Sequence, residues 1–169
     1  MISAIVAVNE DWGIGYNGDL LEHIPADLKF FKKMTVGKTV IMGLNTWNSL
    51  PTKPLPNRVN VIIDFDYDCE IISEGGQPRI IKCDMEHCIQ GITNPRNQDM
   101  IIMGGGSIYR QLLPYCDRVY VTKIYKKHEN VDTYFPNLDE MDCWQTTPIG
   151  ELETYEDFTY QFWQYDRNS

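Results

Sequence analysis

The sequence predicts an α/β fold: a single-domain open mixed sheet, mostly parallel, with helices on both faces and an antiparallel strand at its C-terminal edge. Three observations predict it. Six short apolar runs, most of them rich in β-branched residues, are bounded by Gly, Pro, Asn or Asp. Helix-compatible stretches lie between several of them, the alternation that a covered parallel sheet requires. The tail over 155–165 (YEDFTYQFWQY) then changes character, with a partial period of two. The 169 residues carry no repeat or low-complexity tract, and the Pro-rich PTKPLPN at 51–57 is too short for a linker. One domain over 1–169 is the expectation.

The first run, Ile2–Val8, reads as a strand buried on both faces. The following NEDWGIGYNGDLL, 9–21, carries three glycines and suits a mobile loop over a site, with Trp12 either anchoring that loop or entering the core. Pro25–Met34 is a helix with Pro in its first turn, which places Asp27 on one face with Phe31 and Met34. On this segment alone Asp27 either complements the helix dipole or is a partly buried acid of raised proton affinity, suited to handling a proton or recognising a cation.

Thr39–Met42 is the next strand, followed across Gly43 by a short helix, Thr46–Leu50. Arg58 precedes the strand Val59–Ile63 and offers a planar fork for a carboxylate, or lies on the surface as most arginines do. Strand Arg79–Lys82, helix Met85–Ile89 and strand Met100–Met103 follow. Three glycines, Gly104 to Gly106, then open the helix Ser107–Leu113, which Pro114 ends. Amides at that junction are open to a phosphate, although a tight turn alone also explains the glycines. Two Gly-to-helix junctions in one small sheet favour a dinucleotide. Strand Val119–Ile124 pairs antiparallel with the tail strand at the sheet edge. In such sheets ligands collect beyond the carboxyl ends of the strands.

Charge narrows the possible partners. Fifteen Lys and Arg against twenty-four Asp and Glu give −9, which repels nucleic acid and anionic lipid. No apolar run reaches the roughly 18 residues of a membrane span, and the start, MISAIVAVNEDWG, lacks a basic leader, so a mature cytoplasmic chain is expected. The five cysteines form no CxxC pair and are expected as free thiols, and the three scattered histidines give no metal site.

Taken together, AIVAV followed by WGIG, IPADLKFFK, TVIMGLNTW, PLPNR, IIMGGGSIY with LLP, YVTKI and DTYFP closely resemble the bacterial-type dihydrofolate reductase family. Each piece is weak alone; their order and spacing over nearly the whole chain are specific. The resemblance implies hydride transfer from NADPH to 7,8-dihydrofolate, with protonation at N5 and reduction at C6, in folate one-carbon metabolism, with antifolate inhibitors as further ligands. It implies a monomer. It makes Asp27 the active-site carboxylate that binds the pterin ring nitrogen and 2-amino group. Thr122 supports that acid, and Leu20 lies in the loop that closes over nicotinamide. Ile5, Val6, Ala7, Leu28, Phe31, Leu50, Met103 and Tyr109 would surround the pterin and aminobenzoyl rings, and Arg58 would hold the glutamate α-carboxylate. The cofactor would lie against Ala7, Ile14, Gly15, Gly18, Gly43, Leu44, Thr46, Ile63, Asp64, Lys82, Met103, Gly104, Gly105, Gly106, Ser107, Ile108 and Tyr109. Gly104 and Gly105 match a pair that the family joins by a cis peptide.

The departures are equally definite. Many relatives read Pro-Trp where Leu21-Glu22 stands, and Glu22 is expected to face solvent; turned inward, it would repel Asp27 and raise the proton affinity of the pair. Relatives usually carry Arg at Leu44 and Ser or Arg at Asp64 and Phe65, around the adenosine 2′-phosphate, which leaves Lys82 as the nearest candidate cation. NADPH is therefore expected to hold only a modest advantage over NADH. A non-catalytic pterin- or nucleotide-binding module of the same fold is the alternative, but it needs no buried acid. The related reductase domain of riboflavin synthesis lacks the acid-bearing helix.

Overall fold

A computed structural model describes residues 1–66, 69–74, 77–97 and 99–169. In chain order its elements are β1 (Ile2–Val8), β2 (Gly13–Tyr16), β3 (Asp19–Leu20), α1 (Pro25–Thr35), β4 (Thr39–Gly43), α2 (Leu44–Ser49), β5 (Val59–Ile63), β6 (Cys69–Glu74), β7 (Gln77–Cys83), α3 (Met85–Thr93), β8 (Met100–Gly104), α4 (Gly106–Leu112), β9 (Arg118–Tyr125), β10 (Thr133–Tyr134), β11 (Trp144–Pro148), β12 (Glu153–Tyr155) and β13 (Phe158–Arg167). The main sheet runs β11-β13-β9-β1-β8-β4-β5-β7-β6, with β12 hydrogen-bonded to β13. Its centre is parallel, from β9 through β1, β8, β4 and β5 to β7. Both flanks are antiparallel, β6 on β7 at one side and β13 with β11 at the other.

Alternation along β1 explains the two layers. Ala4, Val6 and Val8 pack with Cys88 and Ile92 of α3 and Ile108 and Leu112 of α4. Ile5 points the opposite way, into the layer that Phe30, Phe31 and Met34 of α1 and Leu44 and Trp47 of α2 cover. Phe30 fastens α1 by stacking on Phe162 with ring centroids 4.4 Å apart. No helix among the described residues is long and apolar enough to cross a membrane.

Four expectations change in detail. The tail strand begins at Phe158, because Glu156 adopts φ 51° in the turn that joins it to β12. β13 is also not the sheet edge, since β11 lies outside it. Of β11 only Trp144 is buried, so its sequence carries no apolar run to announce it. The segment 9–21, expected as a loop, carries a short two-stranded ribbon, β2 pairing with both β3 and β10. Asn17 and Gly18, at φ 53° and 81°, make the Asn-Gly turn between β2 and β3, a hairpin signal that was present in the sequence. Finally, α2 starts at Leu44 and α3 runs on to Thr93, the latter begun by Asp84, whose side chain accepts from the His87 N–H. Trp12 takes the core option, stacked on Phe135 at 6.2 Å.

Candidate active site

The carboxyl halves of β1 and β9 meet the first turn of α1. Pro25 opens α1 without needing an N–H partner, and Asp27 follows it on the face turned to the sheet. In register, Thr122 of β9 lies opposite Ala7 of β1, and its Oγ1 donates to Asp27 Oδ1 at 2.7 Å. Burial raises the proton affinity of Asp27 and the hydrogen bond from Thr122 only partly opposes it. Tyr109 is buried beside them and donates to the Ile5 carbonyl at 2.6 Å. Burial, then the charge of Asp27, holds its phenol well above the usual range. Phe31, Leu50 and Met103 pack half-buried against the layer containing Ile5 and form an apolar wall one helical turn beyond the acid.

Arg58 is 8% exposed, not a surface arginine. Its Nε donates to the Pro56 carbonyl at 2.9 Å and its Nη1 to Thr35 Oγ1 at 2.9 Å. Among the described residues no carboxylate pairs with it, and burial lowers its proton affinity. A desolvated guanidinium with donors to spare suits an anion from outside the chain.

On the other side of β1, β8 ends at Gly104, and the Gly104–Gly105 peptide is cis. Gly43 closes the approach: a Cβ there would lie 2.9 Å from Ile108 Cγ1, so only glycine lets β4 end so near the start of α4. The first backbone bond of α4 runs from Tyr109 N–H to the Gly105 carbonyl, which leaves the N–H groups of Gly106, Ser107 and Ile108 without acceptors inside the helix. Thr46 Oγ1 lies 3.5 Å from where a Cβ on Gly104 or Gly105 would stand. Gly15 of β2 accepts from Asp132 N–H at 3.0 Å, and Ile14 is buried.

Gly43, Ile63 and Cys83 are register partners, so Leu44, Asp64 and Asp84 stand side by side beyond three adjacent strands. Leu44 packs half-buried on the α1–α2 layer. Asp64 N–H donates to the Cys83 carbonyl at 2.9 Å, its Oδ1 accepts from Asp66 N–H at 3.1 Å, and Phe65 is 67% exposed. Lys82 sits on β7 opposite Ile62 and Glu70.

The family model for dihydrofolate reductase matches residues 1–167. The chain is similar to the dihydrofolate reductase of Bacillus subtilis, 33% identical over all of this chain and 96% of that one. The corresponding protein of Buchnera aphidicola from Acyrthosiphon pisum is 38% identical over 86% of this chain and 84% of its own. That of Neisseria meningitidis serogroup A is 36% identical over 82% and 80%. The chain belongs to the dihydrofolate reductase family. It is an oxidoreductase that reduces dihydrofolate to tetrahydrofolate with a nicotinamide dinucleotide.

Most of the residues expected around the reductase site converge, and several do not. Val6 and Ile63 turn their side chains into the α3–α4 layer, on the far face of the sheet from Asp27, because strand alternation sends them there. Leu28 is 59% exposed on the outer side of α1, and Leu20 is 51% exposed on the ribbon. Glu22 does not face solvent: its side chain is 16% exposed and pairs with Lys126 Nζ and His128 Nε2, both at 3.0 Å. Burial acts to raise its proton affinity, but the bonds from His128 and Lys126 outweigh that and the net shift is downward. Asn9 and His128 escaped the sequence reading, since their contacts span more than a hundred residues. Among the described residues no group of three or more His, Cys, Asp or Glu is placed to hold a metal ion.

Proposed function

We propose that Asp27 is the carboxylate that binds the pterin and promotes protonation at N5. The observation that carries this is a half-buried acid of raised proton affinity whose side-chain partner among the described residues, Thr122, donates to a single oxygen. The other oxygen is left for a pterin ring nitrogen and its amino group. Thr122 fixes the carboxylate plane, Phe31, Leu50 and Ile5 exclude water around the rings, and Arg58 holds the glutamyl carboxylate through its spare donors.

The residues fit a dinucleotide. Gly43 permits the β4–α4 approach, the amides of Gly106 to Ile108 suit the diphosphate, and the ribbon carrying Gly15, Gly18 and Leu20 stands over the nicotinamide position. When bound, the reduced nicotinamide supplies the hydride. We infer NADPH as the usual cofactor with NADH accepted at modest penalty, because Leu44, Asp64 and Phe65 offer no positive charge. One domain, a monomeric state, a cytoplasmic place, antifolate binding and no nucleic-acid partner complete the proposal. The test follows reduced-nicotinamide absorbance with dihydrofolate as sole acceptor; turnover with either cofactor supports it, and binding without oxidation would leave the binding-module alternative.

A further inference from the structure

One imidazole touches both ends of the segment 9–22. Asn9, where the chain leaves β1, is buried, and its Oδ1 accepts from Gly13 N–H at 2.8 Å and Asp11 N–H at 3.0 Å. Those bonds decide which end of the amide faces inward, so Nδ2 is the atom 3.1 Å from His128 Nδ1. An amide nitrogen only donates; His128 Nδ1 must therefore accept, and the proton of a neutral ring must sit on Nε2. Nε2 lies 3.0 Å from Glu22 Oε1 and donates to it. The charged groups around this chain of bonds are Glu22, Lys126 at 3.0 Å from it, and Asp157, 3.6 Å beyond Lys126.

The connection 126–132 also grips the segment elsewhere. Glu10 N–H donates to the Lys126 carbonyl at 3.2 Å, and Asp132 bonds Gly15 through its N–H and Asn17 N–H through Oδ2 at 2.9 Å. These contacts hold a start and a middle. Lys126 also spans the segment, from Glu10 through its carbonyl to Glu22 through its Nζ, whereas His128 joins Asn9 itself to Glu22 by side-chain bonds at both ends, two residues before the cap of α1.

We propose that His128 is a positioning residue of the reductase, its Nε2–H tautomer clamping the two ends of segment 9–22 so that the β2–β3 ribbon is held over the nicotinamide half of the site. This rests on the reading that the ribbon covers the nicotinamide. The clamp is a directional relay, amide to imidazole to carboxylate, in which each member has one hydrogen-bonding sense. Reversing Asn9 would set its NH₂ against the Gly13 and Asp11 N–H groups, so the relay cannot invert without freeing the turn at 9–13.

Two measurements test it on the full chain. Side-chain ¹⁵N NMR of the histidines should show His128 with an unprotonated Nδ1 and a protonated Nε2. Kinetically, His128→Leu should raise KM for the nicotinamide cofactor about tenfold, with KM for dihydrofolate changed less than about twofold, and His128→Gln, which keeps an acceptor and a donor, should recover most of the loss. A wild-type ring protonated on Nδ1, or unchanged cofactor KM in a folded His128→Leu protein, overturns the proposal. So does an equal rise of both KM values that His128→Gln leaves in place, which would mark a merely structural histidine. If the parent reduces no dihydrofolate, the functional reading fails, while the NMR result still decides the clamp.

Discussion

The substrate end and the adenosine end of this site are built differently. At the substrate end each charged group is at least half-buried and fixed by a partner from another element: Asp27 of α1 by Thr122 of β9, and Arg58 by Thr35 of α1. At the adenosine end the carboxylates accept from near neighbours in the chain, Asp64 from Asp66 N–H and Asp84 from His87 N–H. The charge differs too. Between Leu28 and Ile63 stand Lys29, Lys32, Lys33, Lys38, Lys53 and Arg58 and no acid, whereas Asp64 and Asp66 begin the next stretch. On the proposed placement, an anionic folate tail would meet attraction at the first end, and a 2′-phosphate would meet like charge at the second. The difference teaches that the reacting end is specified by long-range contacts that tolerate little change, while the cofactor-reading end is specified by local loops that can drift.

Breaking the substrate end should give the largest effects. Asp27→Asn should lower kcat/KM at neutral pH by about 10² or more, recovering partly in acid where solvent protonates the substrate. It should also stabilise the fold. A carboxyl whose folded proton affinity is raised by burial favours folding below its ordinary range, and that advantage is lost as pH rises through the raised value. Removing the charge should therefore raise Tm at neutral pH, with the gain vanishing in acid. Neutral-pH kcat/KM equal to the parent would remove Asp27 from the mechanism.

Arg58→Leu should raise KM for dihydrofolate by an amount worth about 2 to 3 kcal/mol, the scale of a lost charge-assisted contact, with little change in kcat. A substrate without its glutamate should show almost no difference between variant and parent. Equal losses with both substrates would show that Arg58 serves the fold through Thr35 and Pro56, not the tail.

These two residues show how far the sequence could be read. Asp27 was legible because Pro25 and the i+4 spacing to Phe31 fix its face on any helix. The parallel centre of the sheet was legible from its β-branched runs. The burial of Arg58 was not, since it depends on a bond 23 residues away. Glu22 and His128 lay still further out of reach, 106 residues apart and joined only by the fold. β11 escaped because one buried Trp144 carries it, and the β2–β3 ribbon because three glycines masked its Asn-Gly turn.

Sharpening the adenosine end should give smaller effects. Leu44→Arg adds a cation at the start of α2, where Leu44 is only half-buried and a long side chain can reach outward. NADPH should tighten by about 1 to 3 kcal/mol and NADH stay nearly unchanged. Lys82→Ala should shift preference the opposite way. A parent that prefers NADPH by more than about 10³, or an arginine variant that helps both cofactors equally, would place the 2′-phosphate elsewhere.

The smallest effect belongs to Asp84, which asks whether the acidity of this end serves stability. The His87 backbone N–H, then the His87 side chain, hold its carboxyl below the usual range. A depressed carboxylate stabilises the fold above the ordinary aspartate range, and that contribution is lost as pH falls through the depressed value. Asp84→Asn keeps an oxygen to accept from the His87 N–H and removes only the charge, so the cap and the charge can be separated. Urea midpoints of parent and variant should coincide at low pH, where both side chains are neutral, and the parent should stand slightly higher at neutral pH. A variant that is the more stable of the two at neutral pH would mean that repulsion among the acids at this end outweighs the help Asp84 gives to α3, and that the acidity there is kept for something other than the fold.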